Sequence, residues 1–278
     1  MKKITAYFFN EYKFSWQAVY FKMAMYLFVA FKAIYWLSYY SLFFGEHAIA
    51  FNKIKSIGVI KDLAFLLYNN SAINFGYVFI FGTLLFLGLS YFLKKVPFVF
   101  EFLIWFCVIN IHNKIYPTLT GGDLLLNQLL FFNCFLAKSY KQQSTDQNPL
   151  SICFHNFGAL AIIIQVCLVY FIAAVAKLYS NDWLTGSAIA HLGEIEHFNL
   201  FSGAIIKNES LNCCLNYIVL FYQLFFPFLI WLNKIKKQLL FIGVIMHVYI
   251  AFVTGLVGFG LIMIITYVFF WPFKKQNA

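Results

Sequence analysis

The chain has 278 residues, and its 20 basic residues are all Lys, against 10 acidic residues, for a net charge of +10. Apolar residues make up 63%, aromatics 22% and charged residues only 11%, with a mean hydropathy of +0.78. Soluble domains are about half apolar and a quarter charged, so this composition excludes a soluble enzyme, a disordered chain and a disulfide-stapled secreted domain.

The apolar runs are long and continuous rather than alternating, which speaks against a β-barrel. The chain reads as all-α: a polytopic helical membrane bundle forming one domain over residues 1–278. The N-terminal lysines precede a long aromatic run with no small-residue cleavage site, so no cleavable signal is expected. A span needs about 20 apolar residues. Eight spans are predicted, at 17–44, 73–93, 97–112, 122–138, 157–176, 214–232, 238–254 and 257–273. A tight turn at Thr254–Gly255 separates the last two.

Lysine placement then gives the orientation. With the N-terminus inside, inner segments hold Lys2, Lys3, Lys13, Lys94, Lys95, Lys138, Lys141, Lys234, Lys236, Lys237, Lys274 and Lys275. Outer segments hold Lys53, Lys55, Lys61, Lys114, Lys177 and Lys207. This bias predicts both termini in the cytoplasm. The loops 45–72 and 178–213 then face outward. The lysines are topological anchors against anionic lipid, and nucleic acid is not an expected partner.

Ionisable groups inside a span are functional candidates by default. Lys22 and Lys32 lie in the first span. Lys22 is close enough to the inner end to snorkel. Lys32 is deeper, and is either paired with Asp123 or Glu101 or functional. Glu101 early in the third span reads as a helix-start acid. Gly121, Gly122 and Asp123 precede an apolar run; Asp123 is an N-cap, or with Asn127 lines a polar pocket. His112 and Asn113 close the preceding span.

Tyr170, Ala173, Ala174 and Lys177 share one helical face, and the small residues allow close helix approach. Lys177 sits at the outer end, either as a snorkelling helix-end charge or as a base. His247, Ala251 and Gly255 also share a face, so His247 is either a cross-helix hydrogen-bonding group or part of a proton path. The loop string His191, Glu194, Glu196, His197 has ligand-type residues but no zinc-protease spacing, and reads as a solvated loop. The six cysteines show no redox or zinc spacing, with Cys213–Cys214 as a vicinal pair.

The segment V-Y-F-I-A-A-V-A-K-L-Y-S-N-D-W-L-T-G at 169–186 resembles the membrane domain of the HTTM superfamily, shared with vitamin K-dependent gamma-carboxylases. The G-G-D-x-L-L stretch starting at Gly121 and the H-x-x-I-x-F-x-x-G-x-V-x-F-G-L-I-M-I stretch at 247–264 are similar to SdpB-like proteins, which act in maturation of an exported peptide toxin. The resemblance covers residues 12–273. It implies that Lys177 is the base, with Trp183 and Gly186 as matching positions, and that a quinone or hydroquinone is the cofactor. Trp183 and Tyr170 are then the residues expected to contact it. A basic residue in the first span, here Lys22, also fits.

The expected function is maturation of a secreted peptide or protein at the outward face of a bacterial inner membrane. His112, Asp123, Lys177 and His247 are the candidate catalytic residues, and no metal is expected. The expected partners are membrane lipid, the peptide and other proteins of the system. Two alternatives stand beside it. One is a non-enzymatic peptide-binding, export or immunity component; the other is a quinone- or lipid-handling module.

Overall fold

The structure is a computed structural model that describes residues 2–45, 72–92, 98–137, 143, 148–194 and 208–272. The described residues are helical, with no strand among them. Four helices are long and apolar enough to cross a membrane: Ser15–Ser38, Pro149–Leu178, Glu209–Leu229 and Lys236–Val253. Shorter apolar helical stretches run over Gly76–Ser90 and Val257–Phe269. At about 1.5 Å per residue, the 24 residues of Ser15–Ser38 reach past the roughly 30 Å hydrocarbon slab. The chain is therefore a helical protein built for lipid contact.

In chain order the helices are α1 (Lys2–Phe9), α2 (Ser15–Ser38), α3 (Tyr40–Phe44), α4 (Ala72–Phe92), α5 (Phe98–Lys114) and α6 (Gly121–Asn133). Then follow α7 (Pro149–Leu178), α8 (Asn181–Thr185), α9 (Ala188–Glu194), α10 (Glu209–Leu229), α11 (Lys236–Val253) and α12 (Val257–Thr266).

Several boundaries differ from those expected. The first run breaks at Tyr39 into α2 and α3. Helix α7 starts at Pro149, well before 157, because Asn148 caps it: its side-chain oxygen accepts from Leu150 N–H at 3.0 Å. Proline at the first helical position gives up no needed donor. Helix α6 stops at Asn133, a length of 13 residues or about 20 Å. The expected loop 45–72, and Lys94, Lys95, Lys138, Lys141, Lys207, Lys274 and Lys275, lie almost wholly outside the described residues.

The chain divides into two compact units, residues 1–21 with 139–278, and residues 22–138. In the second of these, α4 packs on α5, with Gly82 against the Cys107 thiol. Lys22 does not snorkel. It is 2% exposed, and its ammonium donates to Glu101 at 2.5 Å and to the Leu136 carbonyl at 2.8 Å. Leu136 follows the end of α6, so its carbonyl is free to accept. Glu101 does lie in the first turn of α5, but its role is to neutralise Lys22.

In the other unit, a buried side chain fastens the N-terminal segment. Asn156 of α7 donates to the carbonyls of Tyr7, Phe8 and Glu11 at 3.1, 3.2 and 2.8 Å. Its oxygen accepts from Lys13 N–H at 2.7 Å, and His155 Nε2 donates to the Lys13 carbonyl at 2.7 Å. These bonds satisfy carbonyls that the end of α1 leaves unpaired. The expected turn before the last helix is present: Gly255 takes φ +72°, a left-handed conformation open to glycine. It folds α12 back on α11, where Gly260 lies against Ala251 and the His247 carbonyl.

The Lys22–Glu101 pair gives a test. Lys22→Met leaves Glu101 buried without its cation and should destabilise by about 3–5 kcal/mol. Lys22→Met with Glu101→Leu should recover most of that loss. Unfolding in detergent, followed by helix signal, reads both; equal stability of wild type and the single variant would refute the pairing.

Candidate functional site

Lys177 lies in the last turn of α7, and Trp183 lies on α8, one short loop later. Helix α8 has only five residues and cannot hold its place alone. Helix α10 holds it. Asn216 donates to the Trp183 carbonyl at 2.8 Å, and the Tyr217 hydroxyl donates to the Leu184 carbonyl at 2.8 Å. Gly186 ends α8 at φ +84° and sits so close to Cys213 that a Cβ there would meet its sulfur at 2.7 Å. With α8 thus pressed down, the Trp183 ring covers the Lys177 ammonium at 4.8 Å from its centroid. A cation over indole is stabilised by about 0.5–2 kcal/mol. Lys177 is half-buried, and among the described residues it has no ion pair.

Two turns before Lys177 on the same face of α7, Tyr170 is 1% exposed. Its hydroxyl is 2.6 Å from His247 Nε2 and also bonds the Tyr267 hydroxyl. Tyr267 in turn lies 3.1 Å from the Tyr222 hydroxyl, which donates to the Leu239 carbonyl at 3.1 Å. Gly243 leaves room for both Tyr222 and Tyr267, because any side chain there would collide with their hydroxyls. His247 thus hydrogen-bonds across helices, and its Nδ1 is buried with no partner among the described residues.

Residues 22–138 hold a separate polar cluster. Lys32 pairs with Asp123 at 2.6 Å, one of the two partners the sequence offers. Asp123 is not the N-cap of α6. Thr120 is, and Asp123 accepts from the Thr120 N–H and hydroxyl, both at 2.9 Å. Asp123 thus serves the helix terminus and Lys32 at once. His112 is fully buried edge-on to Trp36. Its Nδ1 donates to Asn127 Oδ1 at 2.7 Å, and its Nε2 is 3.8 Å from Asp123. Asp123 and Asn127 thus meet through His112, and Lys32 joins the cluster through Asp123.

The structure thus joins His112 with Asp123, Lys177 with Trp183, and Tyr170 with His247. The first pair belongs to residues 22–138 and the other two to the other unit. Sequence reasoning missed Tyr222, Tyr267 and Asn216. A signal was present: Asn212, Asn216 and Gln223 recur at helical spacing on one side of α10 and are all buried. His191 is exposed and 3.6 Å from Asp182. Glu196 and His197 lie outside the described residues, and among those described no group of three metal-ligating side chains occurs. The cysteines are free thiols.

The chain is 33% identical over 113 residues to the uncharacterized protein YitO of Bacillus subtilis (strain 168). That match covers 37% of this chain and 35% of that protein, about a third of its length. No family model matches the chain. No solved structure matches it either.

The seating of Trp183 depends on Gly186. Gly186→Ala forces a Cβ into the left-handed region, at about 1–2 kcal/mol, and against Cys213. The amides of 181–186 should then exchange with solvent at least several-fold faster, measured by hydrogen exchange in detergent. Unchanged protection would mean that α8 is held by something other than this contact.

Proposed function

We propose that this protein is an SdpB-like member of the HTTM superfamily that acts in maturation of an exported peptide, with Lys177 as its working group. The observation that carries the reading is charge accounting. A charge in the apolar slab costs about 3 kcal/mol on insertion scales unless compensated. Lys22 and Lys32 are each neutralised by a carboxylate. Among the described residues Lys177 has an aromatic face beside it and no ion pair. An ammonium without a counter-charge is free to bind a carboxylate or, as the free amine, to take a proton.

The proposed topology has eight spans, with both termini in the cytoplasm of a bacterium and the Lys177 end of α7 outward. The excess of lysine in the segments that would face inward supports it. On this topology a secreted peptide reaches Lys177 from outside, and an apolar cofactor reaches it from lipid. The residues at hand suit a hydroquinone: Lys177 offers a base and Trp183 an aromatic face. Such a group would supply an acidic hydroxyl and two electrons. The chain's own part is to accept the proton at Lys177 Nζ and to keep the half-buried amine covered.

The test is mass spectrometry of the protein purified in mild detergent with its co-purifying peptides and extracted small molecules, wild type beside Lys177→Ala. The proposal expects a covalently modified peptide, or a bound quinone, that falls at least tenfold in the variant. An unmodified peptide held equally by both proteins would overturn it and favour a binding or export component.

A further inference from the structure

The hydrogen bonds around His247 have only one consistent direction. The Leu239 carbonyl has no proton, so the Tyr222 hydroxyl must donate to it. A hydroxyl carries one proton, so toward Tyr267 the Tyr222 oxygen can only accept. Tyr267 therefore donates to Tyr222 and accepts from Tyr170. Tyr170 is then left accepting from His247, which fixes the ring proton on Nε2. The chain of donors runs from His247 through Tyr170, Tyr267 and Tyr222 to a backbone carbonyl. Nδ1 remains as a bare lone pair, 1% exposed at the residue level and with no partner among the described residues.

We infer that His247 is a proton-accepting residue held in a single tautomer, with Nδ1 as the accepting atom and Tyr170, Tyr267 and Tyr222 as its positioning residues. Among the described residues, the groups that face the ring are Tyr170 of α7, Phe259 of α12 and Tyr267 after it, none of them charged. A bare lone pair in apolar surroundings favours a neutral hydroxyl or N–H donor. An anion would meet the lone pair, and a cation would lose its hydration. When a proton transfers, it adds to the Nδ1 lone pair, and the donor keeps the bonding electrons. The Nε2–H bond stays intact, and none of the tyrosine hydrogen bonds reverses. The chain ends at a carbonyl that cannot pass a proton on, so it orients and polarises the imidazole rather than conducting through the membrane. Hydrogen bonds in series strengthen one another, which raises the electron density at Nδ1. This inference is independent of the role given to Lys177.

The test is nitrogen NMR on full-length protein with labelled histidine, in detergent at neutral pH. The His247 signals are assigned by their disappearance in His247→Gln. Wild type is expected to show Nε2 protonated and Nδ1 bare. In Tyr267→Phe, Tyr170 loses its acceptor and turns its hydroxyl to Nε2, so the ring proton should move to Nδ1. Tyr222→Phe should give the same swap, because Tyr267 then turns back toward Tyr170. The wild-type spectrum stands as a test even where a variant fails to fold. An Nδ1-protonated wild type, or folded variants that keep the wild-type tautomer, would overturn the inference.

Discussion

A charge buried away from water must find an opposite charge or a set of dipoles, and the fold is arranged around that demand. Lys22 reaches across its unit to Glu101 and to a carbonyl left open at the end of α6. Lys32 reaches Asp123, which also holds the first turn of α6. These pairs tie α2 to α5 and α6 within residues 22–138. They are demanding devices, since either partner alone would be worse than an apolar pair. Against them Lys177 stands out, because α8 brings it an indole ring and no carboxylate pairs with it among the described residues.

The same accounting applies to neutral polar groups. The Tyr7 and Phe8 carbonyls at the end of α1 and the Glu11 carbonyl just beyond it share the two N–H groups of the Asn156 amide. The phenols of Tyr170, Tyr222 and Tyr267 would each be costly alone in an apolar core. Placed in series, they satisfy one another and finish on the Leu239 carbonyl. Within this tyrosine network His247 Nδ1 is the atom left over, one of eight buried side-chain polar atoms with no hydrogen-bond partner among the described residues.

The helical membrane character was legible because composition and run length carry it directly. The turn at Gly255 was legible from residue chemistry alone, while for Lys32 the sequence left Asp123, Glu101 and a functional role open, and only geometry selects Asp123. The pairing of Lys22 was not: a lysine near a span end has the same sequence signature whether it snorkels or is buried. The capping of α6 was misread by three residues, because Thr120 and Asp123 are both capping types and only geometry separates N-cap from third residue. The start of α7 was missed because its first turns carry His155 and Asn156, which lower the apolar signal while serving the N-terminal segment. The tyrosine chain was hidden for a general reason. Its members come from different helices, and no local spacing relates Tyr170 to Tyr222 and Tyr267.

The central claim is that Lys22 and Lys32 are neutralised by carboxylates and that Lys177 has no such partner among the described residues. Competitive amine labelling of native membranes with a small membrane-permeant reagent, read lysine by lysine by mass spectrometry, tests it directly. The account predicts that Lys177 is modified at least tenfold faster than Lys22 and Lys32. Labelling of Lys177 as slow as that of Lys22 would contradict it, and would mean that its ammonium is paired as those of Lys22 and Lys32 are.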